Sequence, residues 1–171
     1  MTKPPASITY SSVVARDSVR IAFMLAALHE IDVLAADVGN AYLNAPCREK
    51  VYCIAGPEFG SDEGKTAIIV RALYGLKSSG AAWRAHMAQS MSDMGFFPSK
   101  ADPDVWMRPA TKSDGYEYYE YVLIYVDDIL CCSHRAEEVM DTISDMYRLK
   151  KDPKTGKAYA KTNALSWSAN C

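Results

Sequence analysis

The sequence lacks any apolar run long enough to cross a bilayer. Its longest, Ile21 to Leu28, is far shorter than the roughly 20 residues that a membrane-spanning helix needs. The N-terminus begins Met-Thr-Lys-Pro-Pro and has no apolar segment of the kind that forms a signal peptide. These features argue against the membrane and secreted classes. We therefore expect a cytoplasmic or nuclear protein with no membrane partner.

The chain also lacks the cysteine and histidine spacings that are typical of zinc sites. Its five cysteines include no C-x-x-C pair, and none of its three histidines stands at a zinc-ligand spacing from them. An odd number of cysteines without a disulfide framework predicts reduced, structural thiols. Cys131 and Cys132 are adjacent, so on a strand they would face opposite sides of the sheet.

A net basic charge, typical of nucleic-acid binders, is missing as well, because the formal net charge is −2. The charges are nevertheless segregated. Residues 65–112 carry seven Lys or Arg against three Asp or Glu, and residues 148–171 carry six against one. Residues 113–147 carry one against nine. This layout suits phosphate contacts around a cation-binding carboxylate cluster, although solvated charged faces are the commoner origin of such blocks.

With 49% hydrophobic residues among 171, the chain can form one domain with a real core, or one domain and part of another. We predict a helix from a cap at Asp17 or Ser18 to about His29. It is apolar on most sides and therefore expected to be buried, with Val19, Ala22, Phe23 and Ala26 inward. A buried strand over residues 31–36 then leads into Asp37.

Further elements follow at short intervals. Residues 51–55, 66–72 and 105–108 have strand character. Trp83, Met87, Met91 and Met94 recur at helical spacing before Gly95, which predicts an amphipathic helix whose stripe packs into the core.

An acidic pair interrupts the most strand-like stretch. Aromatic and β-branched residues fill positions 116–126, Asp127 and Asp128 follow, and the apolar pattern resumes over 129–132. This predicts a β-hairpin with the carboxylates at its tip. Ser133 would cap a following helix with Val139, Met140, Ile143, Met146 and Tyr147 on its apolar face. Strands and helices interleave, so the predicted fold class is α+β.

Adjacent aspartates at a hairpin tip repel one another, and a divalent cation resolves the conflict because Mg²⁺ binds hard oxygen ligands. Phosphoryl transfer often uses two such ions, about 3.5–4 Å apart. Two ions need a third carboxylate. Asp37 is the candidate, because it ends a buried strand and precedes Gly39, which permits close backbone approach. Taken alone, an Asp-Asp pair is weak evidence.

Four segments together carry a resemblance. Residues 37–44, D-V-G-N-A-Y-L-N, resemble the first catalytic motif of retroelement reverse transcriptases, and residues 125–128, Y-V-D-D, resemble the catalytic hairpin. Residues 73–77, L-Y-G-L-K, and 101–106, A-D-P-D-V-W, are similar to copia-type segments. The motifs stand in the family's order from about Ser11 to Leu149. The chain thus resembles the reverse transcriptases of copia-type LTR retrotransposons.

The resemblance implies RNA-directed DNA synthesis, in which a primer 3′-OH attacks the α-phosphate of a dNTP and releases pyrophosphate. Two Mg²⁺ or Mn²⁺ ions would be held by Asp37, Asp127 and the Val38 carbonyl. Asp128 would support the ion at the primer end. The implied partners are an RNA or DNA template with its primer, dNTPs and the remainder of a retroelement polyprotein. The implied location is a cytoplasmic virus-like particle or the nucleus.

Other motif residues would contact the nucleotide or the primer and template. Tyr42 would act as a steric gate against the ribose 2′-OH, although core packing is the alternative for Tyr42 and for Tyr125. The residues implied near the dNTP are Gly39, Asn40, Ala41, Tyr42, Tyr74 and Gly75. Those implied near primer or template are Tyr125, Val126 and Lys77.

The resemblance also implies a polymerase palm, an antiparallel sheet with a catalytic hairpin packed on helices, together with incomplete fingers. We expect the palm at residues 13–44 and 79–150, partial fingers at 1–12 and 45–78, and a basic, divergent tail at 151–171. Gly80 stands where the family commonly has proline, and Asn40 where retroviral relatives have an acidic residue. Because thumb and RNase H are not expected within the chain, we expect it to be weakly active or inactive alone.

Two other functions remain open at this point. The chain could be a non-catalytic, degenerate retroelement remnant that retains nucleic-acid or cation binding. It could also be a nucleotidyl cyclase with a similar palm, but the segment at residues 73–77 argues against that class.

Overall fold

The computed structural model of the chain describes residues 11–162. Within that range the chain forms two compact units. One contains residues 40–88 and is called the hairpin unit. The other combines residues 12–39 with 89–162 and is called the sheet unit. No helix in residues 11–162 is long and apolar enough to span a membrane.

The sheet unit is built on six strands, which are β1 (Asp32–Asp37), β4 (Phe97–Pro98), β5 (Val105–Thr111), β6 (Glu117–Tyr125), β7 (Asp128–Ser133) and β8 (Tyr159–Lys161). They lie in the order β4-β5-β6-β7-β1-β8, and each neighbouring pair is antiparallel. Its complete helices are α1 (Arg16–Leu28) and α3 (Ala136–Met146). The α+β class with an antiparallel sheet is thus confirmed.

The hairpin unit contains a small two-stranded sheet. Strands β2 (Tyr52–Ile54) and β3 (Thr66–Ile68) pair antiparallel, with Tyr52 opposite Ile68. Helix α2 (Ser79–Asp93) begins in this unit and runs into the sequence of the sheet unit. The predicted stripe is confirmed for Trp83, Met87 and Met91, which are at most 2% exposed. Met94 is only half-buried and follows the end of the helix.

Strand β7 is apolar on both sides because it lies between two helix-covered faces. Successive side chains of a strand point to opposite faces. Leu130 and Cys132 join the cluster that packs against α1, whereas Ile129 and Cys131 point to the other face, where α3 lies. All four are fully buried, so the apolar run after the acidic pair marks a central strand.

The prediction that α1 is buried on most sides is wrong. Ala22 and Ala26 are buried against the sheet, but Ile21, Met24 and Leu28 are 52%, 55% and 70% exposed. A helix that packs on a sheet covers it with one of its faces. The opposite face of α1 therefore stays in solvent despite its apolar composition.

The predicted caps of α1 are wrong as well. The helix begins after Ala15, and no side chain caps it. Ser18 Oγ instead donates to Asp102 Oδ2 at 2.7 Å, while Asp17 pairs with Arg20. The buried Asp102 carboxylate also accepts the backbone N–H of Ala15 at 2.8 Å. A residue distant in sequence therefore fixes the start of this helix.

Ser133 is not the cap of α3 either. The helix begins after Arg135, and no side chain caps it. Ser133 Oγ accepts the Arg135 N–H at 3.0 Å and donates to Glu120 Oε2 at 2.7 Å. The Ser133 hydroxyl thus donates a hydrogen bond to the buried Glu120 carboxylate. Leaving a buried carboxylate without partners costs more free energy than leaving a helix N-terminus uncapped.

Glu120 is a buried acid that the sequence reading did not single out. It is 1% exposed. Arg108 donates to its Oε1 through Nε at 2.9 Å and Nη2 at 2.8 Å. The same guanidinium donates to the Met94 carbonyl at 2.6 Å and lies 4.4 Å from the Phe96 ring centroid. The charge is thus fully neutralised, and the pair links β5 to β6 on the face that carries α3.

We expect Arg108→Met to lower the free energy of unfolding by about 2–4 kcal/mol, because it leaves the Glu120 carboxylate buried with a single hydroxyl donor. Urea denaturation measures the loss. Arg20→Met, at an exposed pair with Asp17, is the matched control and should change stability by less than about 0.5 kcal/mol. Equal losses in the two variants would contradict the assignment.

Candidate active site

Strand pairing brings three of the predicted site residues together at one end of the sheet. The register of β1 on β7 places Asp37 directly opposite Asp128. The Val38 N–H donates to the Asp127 carbonyl at 2.7 Å. Residues 90 positions apart in sequence thus converge because β1 and β7 pair in this register. We call Asp37, Asp127 and Asp128 the aspartate cluster.

The hairpin that carries two of these aspartates is very tight. Tyr125 pairs with Asp128, so Val126 and Asp127 alone form the turn. Asp127 is at the tip as predicted, while Asp128 is already the first residue of β7. Val126 has φ of 55°, a left-handed conformation that is costly for a β-branched residue. Strain of about 1–3 kcal/mol is stored in such positions, and they cluster at functional sites.

A third segment, residues 148–150, lies against the end of β1. Gly39 N–H donates to the Arg148 carbonyl at 2.8 Å, and Lys150 N–H donates to the Asp37 carbonyl at 2.8 Å. A Cβ on Gly39 would lie 3.0 Å from the Arg148 carbonyl oxygen. Glycine at position 39 therefore permits the close approach of backbone, and the segment that approaches is residues 148–150.

Lys150 is the site residue that the sequence reading missed. Its ammonium lies 2.9 Å from Asp37 Oδ2, 2.8 Å from Asp37 Oδ1 and 4.0 Å from Asp127 Oδ2. Asp37 Oδ1 is buried and accepts no well-directed hydrogen bond from the described residues, so its contact with Lys150 is ionic. The basic segment after residue 147 was the available signal, but sequence alone does not select one lysine among several.

Asp128 is the aspartate whose ionisation the fold disfavours. Burial raises its pKa from 3.8 to about 6, and the neighbouring charges of Asp127 and Asp37 act in the same direction. Lys150 opposes the shift. The site therefore holds more negative charge than its surroundings neutralise, which is the condition that favours a bound cation.

The chemistry of these residues fits a divalent cation. Carboxylate oxygens are the ligands that Mg²⁺ and Mn²⁺ take, and Asp37 Oδ1 is a buried acceptor without a directed donor. The side chains are not arranged as a metal centre, since no three His, Cys, Asp or Glu side chains in the described residues could together hold an ion. The ammonium of Lys150 lies against both carboxylate oxygens of Asp37.

The residues predicted near the nucleotide fall mainly in the hairpin unit. Asn40 has a left-handed backbone, with φ of 52°, and leads into a 3₁₀ turn at Ala41–Asn44. The Tyr42 ring stacks on Tyr74, with centroids 4.3 Å apart and planes inclined by 28°. Gly75 has φ of 95°, and a Cβ there would meet open space. The structure thus brings Tyr42 and Tyr74 together.

The residues predicted near primer and template are more dispersed. Lys77 is exposed in the hairpin unit. Tyr125 is half-buried and packs against the core cluster under α1, so its alternative role as a core aromatic has structural support. Val126 lies in the turn of the β6–β7 hairpin.

An antiparallel sheet with a carboxylate-bearing hairpin beside a third aspartate is compatible with a nucleotide-polymerising domain. A family model described as reverse transcriptase (RNA-dependent DNA polymerase) matches residues 6–157. The chain therefore belongs to the reverse transcriptase family, whose members generally use divalent metal ions.

The similar curated proteins are products of transposons. The retrovirus-related Pol polyprotein from transposon RE1 of Arabidopsis thaliana is 28% identical over 147 residues, which are 83% of this chain and 10% of that protein. The corresponding polyprotein from transposon TNT 1-94 of Nicotiana tabacum is 28% identical over 124 residues, 71% of this chain and 9% of that protein. The putative transposon Ty5-1 protein of Saccharomyces cerevisiae is 25% identical over 119 residues, 67% of this chain and 37% of that protein.

These matches confirm the resemblance to copia-type retrotransposon reverse transcriptases. The chain spans about a tenth of the length of the Arabidopsis polyproteins that it matches, 10% in each case.

We expect Asp128→Asn to stabilise the protein in EDTA at pH 7–8, by on the order of 1 kcal/mol after allowance for solvent screening. Because the folded-state pKa of about 6 lies above the ordinary 3.8, the cost of the charge is fully present above pH 6 and disappears below pH 3.8. Thermal denaturation at several pH values should show the gain shrinking as the pH falls. Asp145→Asn, at an exposed site, is the control, and a gain independent of pH would contradict the electrostatic cause.

A second stability change is expected at the hairpin turn. Val126→Asn should raise the free energy of unfolding by about 1 kcal/mol, because asparagine tolerates the left-handed backbone that valine does not. Val51→Asn, at a half-buried position with no positive φ, is the comparison and should not stabilise. Chemical denaturation distinguishes the two, and destabilisation by Val126→Asn would show that side-chain packing outweighs backbone strain.

Proposed function

We propose that this chain is the catalytic region of an RNA-directed DNA polymerase from a copia-type retrotransposon polyprotein. The observation that carries the proposal is the register that sets Asp37 opposite Asp128, with Asp127 in the adjoining turn. Three acidic side chains on paired strand ends suit phosphoryl transfer, in which positioning and charge neutralisation supply most of the catalysis. Family membership and the transposon relatives support the same activity.

The aspartate cluster would hold the metal ions. Asp37 and Asp127, with the Val38 carbonyl, would bind two Mg²⁺ or Mn²⁺ ions, and Asp128 would support the one at the primer end. Such ions, when bound, activate the attacking hydroxyl and stabilise the leaving oxygen. Two observations support a cation-binding role. Asp37 Oδ1 is buried and accepts no hydrogen bond from the described residues, and the pKa of Asp128 is raised.

The hairpin unit would select the nucleotide. Backbone N–H groups from Gly39 to Ala41 would face the triphosphate, and Tyr42 would exclude the ribose 2′-OH. Stacking on Tyr74 holds the Tyr42 ring in one orientation, which a steric gate requires. The positive φ of Gly75 would let the backbone approach the nascent base pair without a side chain in the way.

Template and primer would meet Lys77, Tyr125 and Val126, and the partners would be an RNA or DNA template, dNTPs and the rest of the polyprotein. We assign residues 13–44 and 79–150, which include the aspartate cluster, to the palm, and residues 1–12 and 45–78 to partial fingers. A virus-like particle in the cytoplasm, or the nucleus, is the proposed location.

Primer extension on an RNA template tests the proposal. Asp127→Asn should reduce dNTP incorporation at least about 100-fold in Mg²⁺ or Mn²⁺, because it removes one metal-binding charge. Asp145→Asn, which makes the same charge change at an exposed position of α3, should retain activity. Circular dichroism verifies that both variants fold.

Activity that survives Asp127→Asn would rule out the metal assignment. If the folded parent chain incorporates nothing, the same pair of variants is tested in the longer reading frame of the element. Absence of activity there as well would favour a degenerate remnant that has lost catalysis.

A further inference from the structure

We propose that Lys150 is a built-in counter-ion of the aspartate cluster, which holds the carboxylates in place without metal and is displaced when a divalent cation binds. The inference rests on the proposed function, because it takes the cluster to be the metal site. It concerns a residue of this chain to which neither the family match nor the relatives assign a role.

The contacts define the ammonium as a shared cation. It lies within 2.9 Å of both carboxylate oxygens of Asp37 and 4.0 Å from Asp127 Oδ2. Among the described residues, Lys150 is the cation that forms ion pairs with this cluster.

The backbone of Lys150 is anchored to the end of β1, whereas its side chain is largely exposed. Its N–H donates to the Asp37 carbonyl at 2.8 Å, and the neighbouring Leu149 forms a bridge with Val38. The side chain is nevertheless 56% exposed. A lysine is a point charge on a flexible stem, so it can withdraw into solvent without disturbing the backbone pairing.

Occupancy by the ammonium explains why the cluster is not arranged as a metal centre. No group of three acidic, histidine or cysteine side chains in the described part of the chain could hold an ion as it stands. The ammonium contacts both oxygens of Asp37, so a divalent cation that binds these oxygens has to take its place. Ammonium and divalent cation therefore compete for the same carboxylate.

This competition has two opposite consequences. Without metal, Lys150 lowers the repulsion among three aspartates and so stabilises the fold. With metal, the same contact must be given up, so the lysine weakens cation affinity. A purely structural lysine would give the first effect and not the second.

Lys150→Met and its matched control Lys151→Met test the inference in the whole chain. Lys151 is the adjacent exposed lysine, so the control makes the same change in net charge. In EDTA at pH 7.5, we expect Lys150→Met to lower the melting temperature by a few degrees and Lys151→Met to leave it unchanged. Calorimetric titration with Mn²⁺ should give a Kd roughly three- to ten-fold lower for Lys150→Met than for the parent. The control should change the Kd less than about two-fold.

Asp37→Asn separates failure of the inference from failure of the proposed function. If the parent chain and the Asp37→Asn variant bind Mn²⁺ equally well, the ions bind elsewhere and the proposed metal site is wrong. If Asp37→Asn weakens binding but Lys150→Met does not tighten it, the metal site stands and the counter-ion role is overturned. Binding seen in Lys150→Met but not in the parent supports the role, and binding in neither overturns it. An unchanged melting temperature in EDTA overturns it independently of metal and of activity.

Discussion

The antiparallel pairing of β1 with β7 is the constraint on which the rest of the structure depends. Both strands lie between α1 on one face and α3 on the other, and a slip of one residue would send every buried side chain to the wrong face. The position of Asp37 opposite Asp128 follows from this register. The arrangement of the three acids is thus obtained from core packing, because a shift of either strand would force the side chains on both faces to repack.

The same pairing creates the electrostatic conflict of the site. Asp37, Asp127 and Asp128 are brought together by hydrophobic burial, which acts without regard to their mutual repulsion. The raised pKa of Asp128 and the strained backbone of Val126 are local costs of that arrangement. Lys150 lies in a segment that is anchored to the end of β1, and its charge reduces part of the repulsion among the three aspartates. Stability and cation binding thus make opposite demands on one side chain.

A comparison of the two acidic centres in the sheet unit shows how structural and functional charges differ. Glu120 is almost fully buried, and its oxygens accept hydrogen bonds from Arg108 and Ser133. Such a closed network favours one conformation. The aspartate cluster is partly open to solvent, and the lysine that pairs with it is 56% exposed. This arrangement leaves room for exchange of the counter-ion, which the proposed metal site requires.

The sequence alone determined the features that depend on near neighbours. The stretch of aromatic and β-branched residues and the acidic pair within it predicted the β6–β7 hairpin, and the stripe of Trp83 and methionines before Gly95 predicted α2. The ordered motifs identified the family. The exposed stripe of α1, the true partner of Ser133, strand β8 and the role of Lys150 were decided by tertiary structure. Lys150 and Asp37 are separated by 113 positions, and no local pattern encodes a contact of that span. Propensity and periodicity report on one turn or one strand, whereas the choice of partner for a charge or an apolar face is made only when the sheet and its helices pack together.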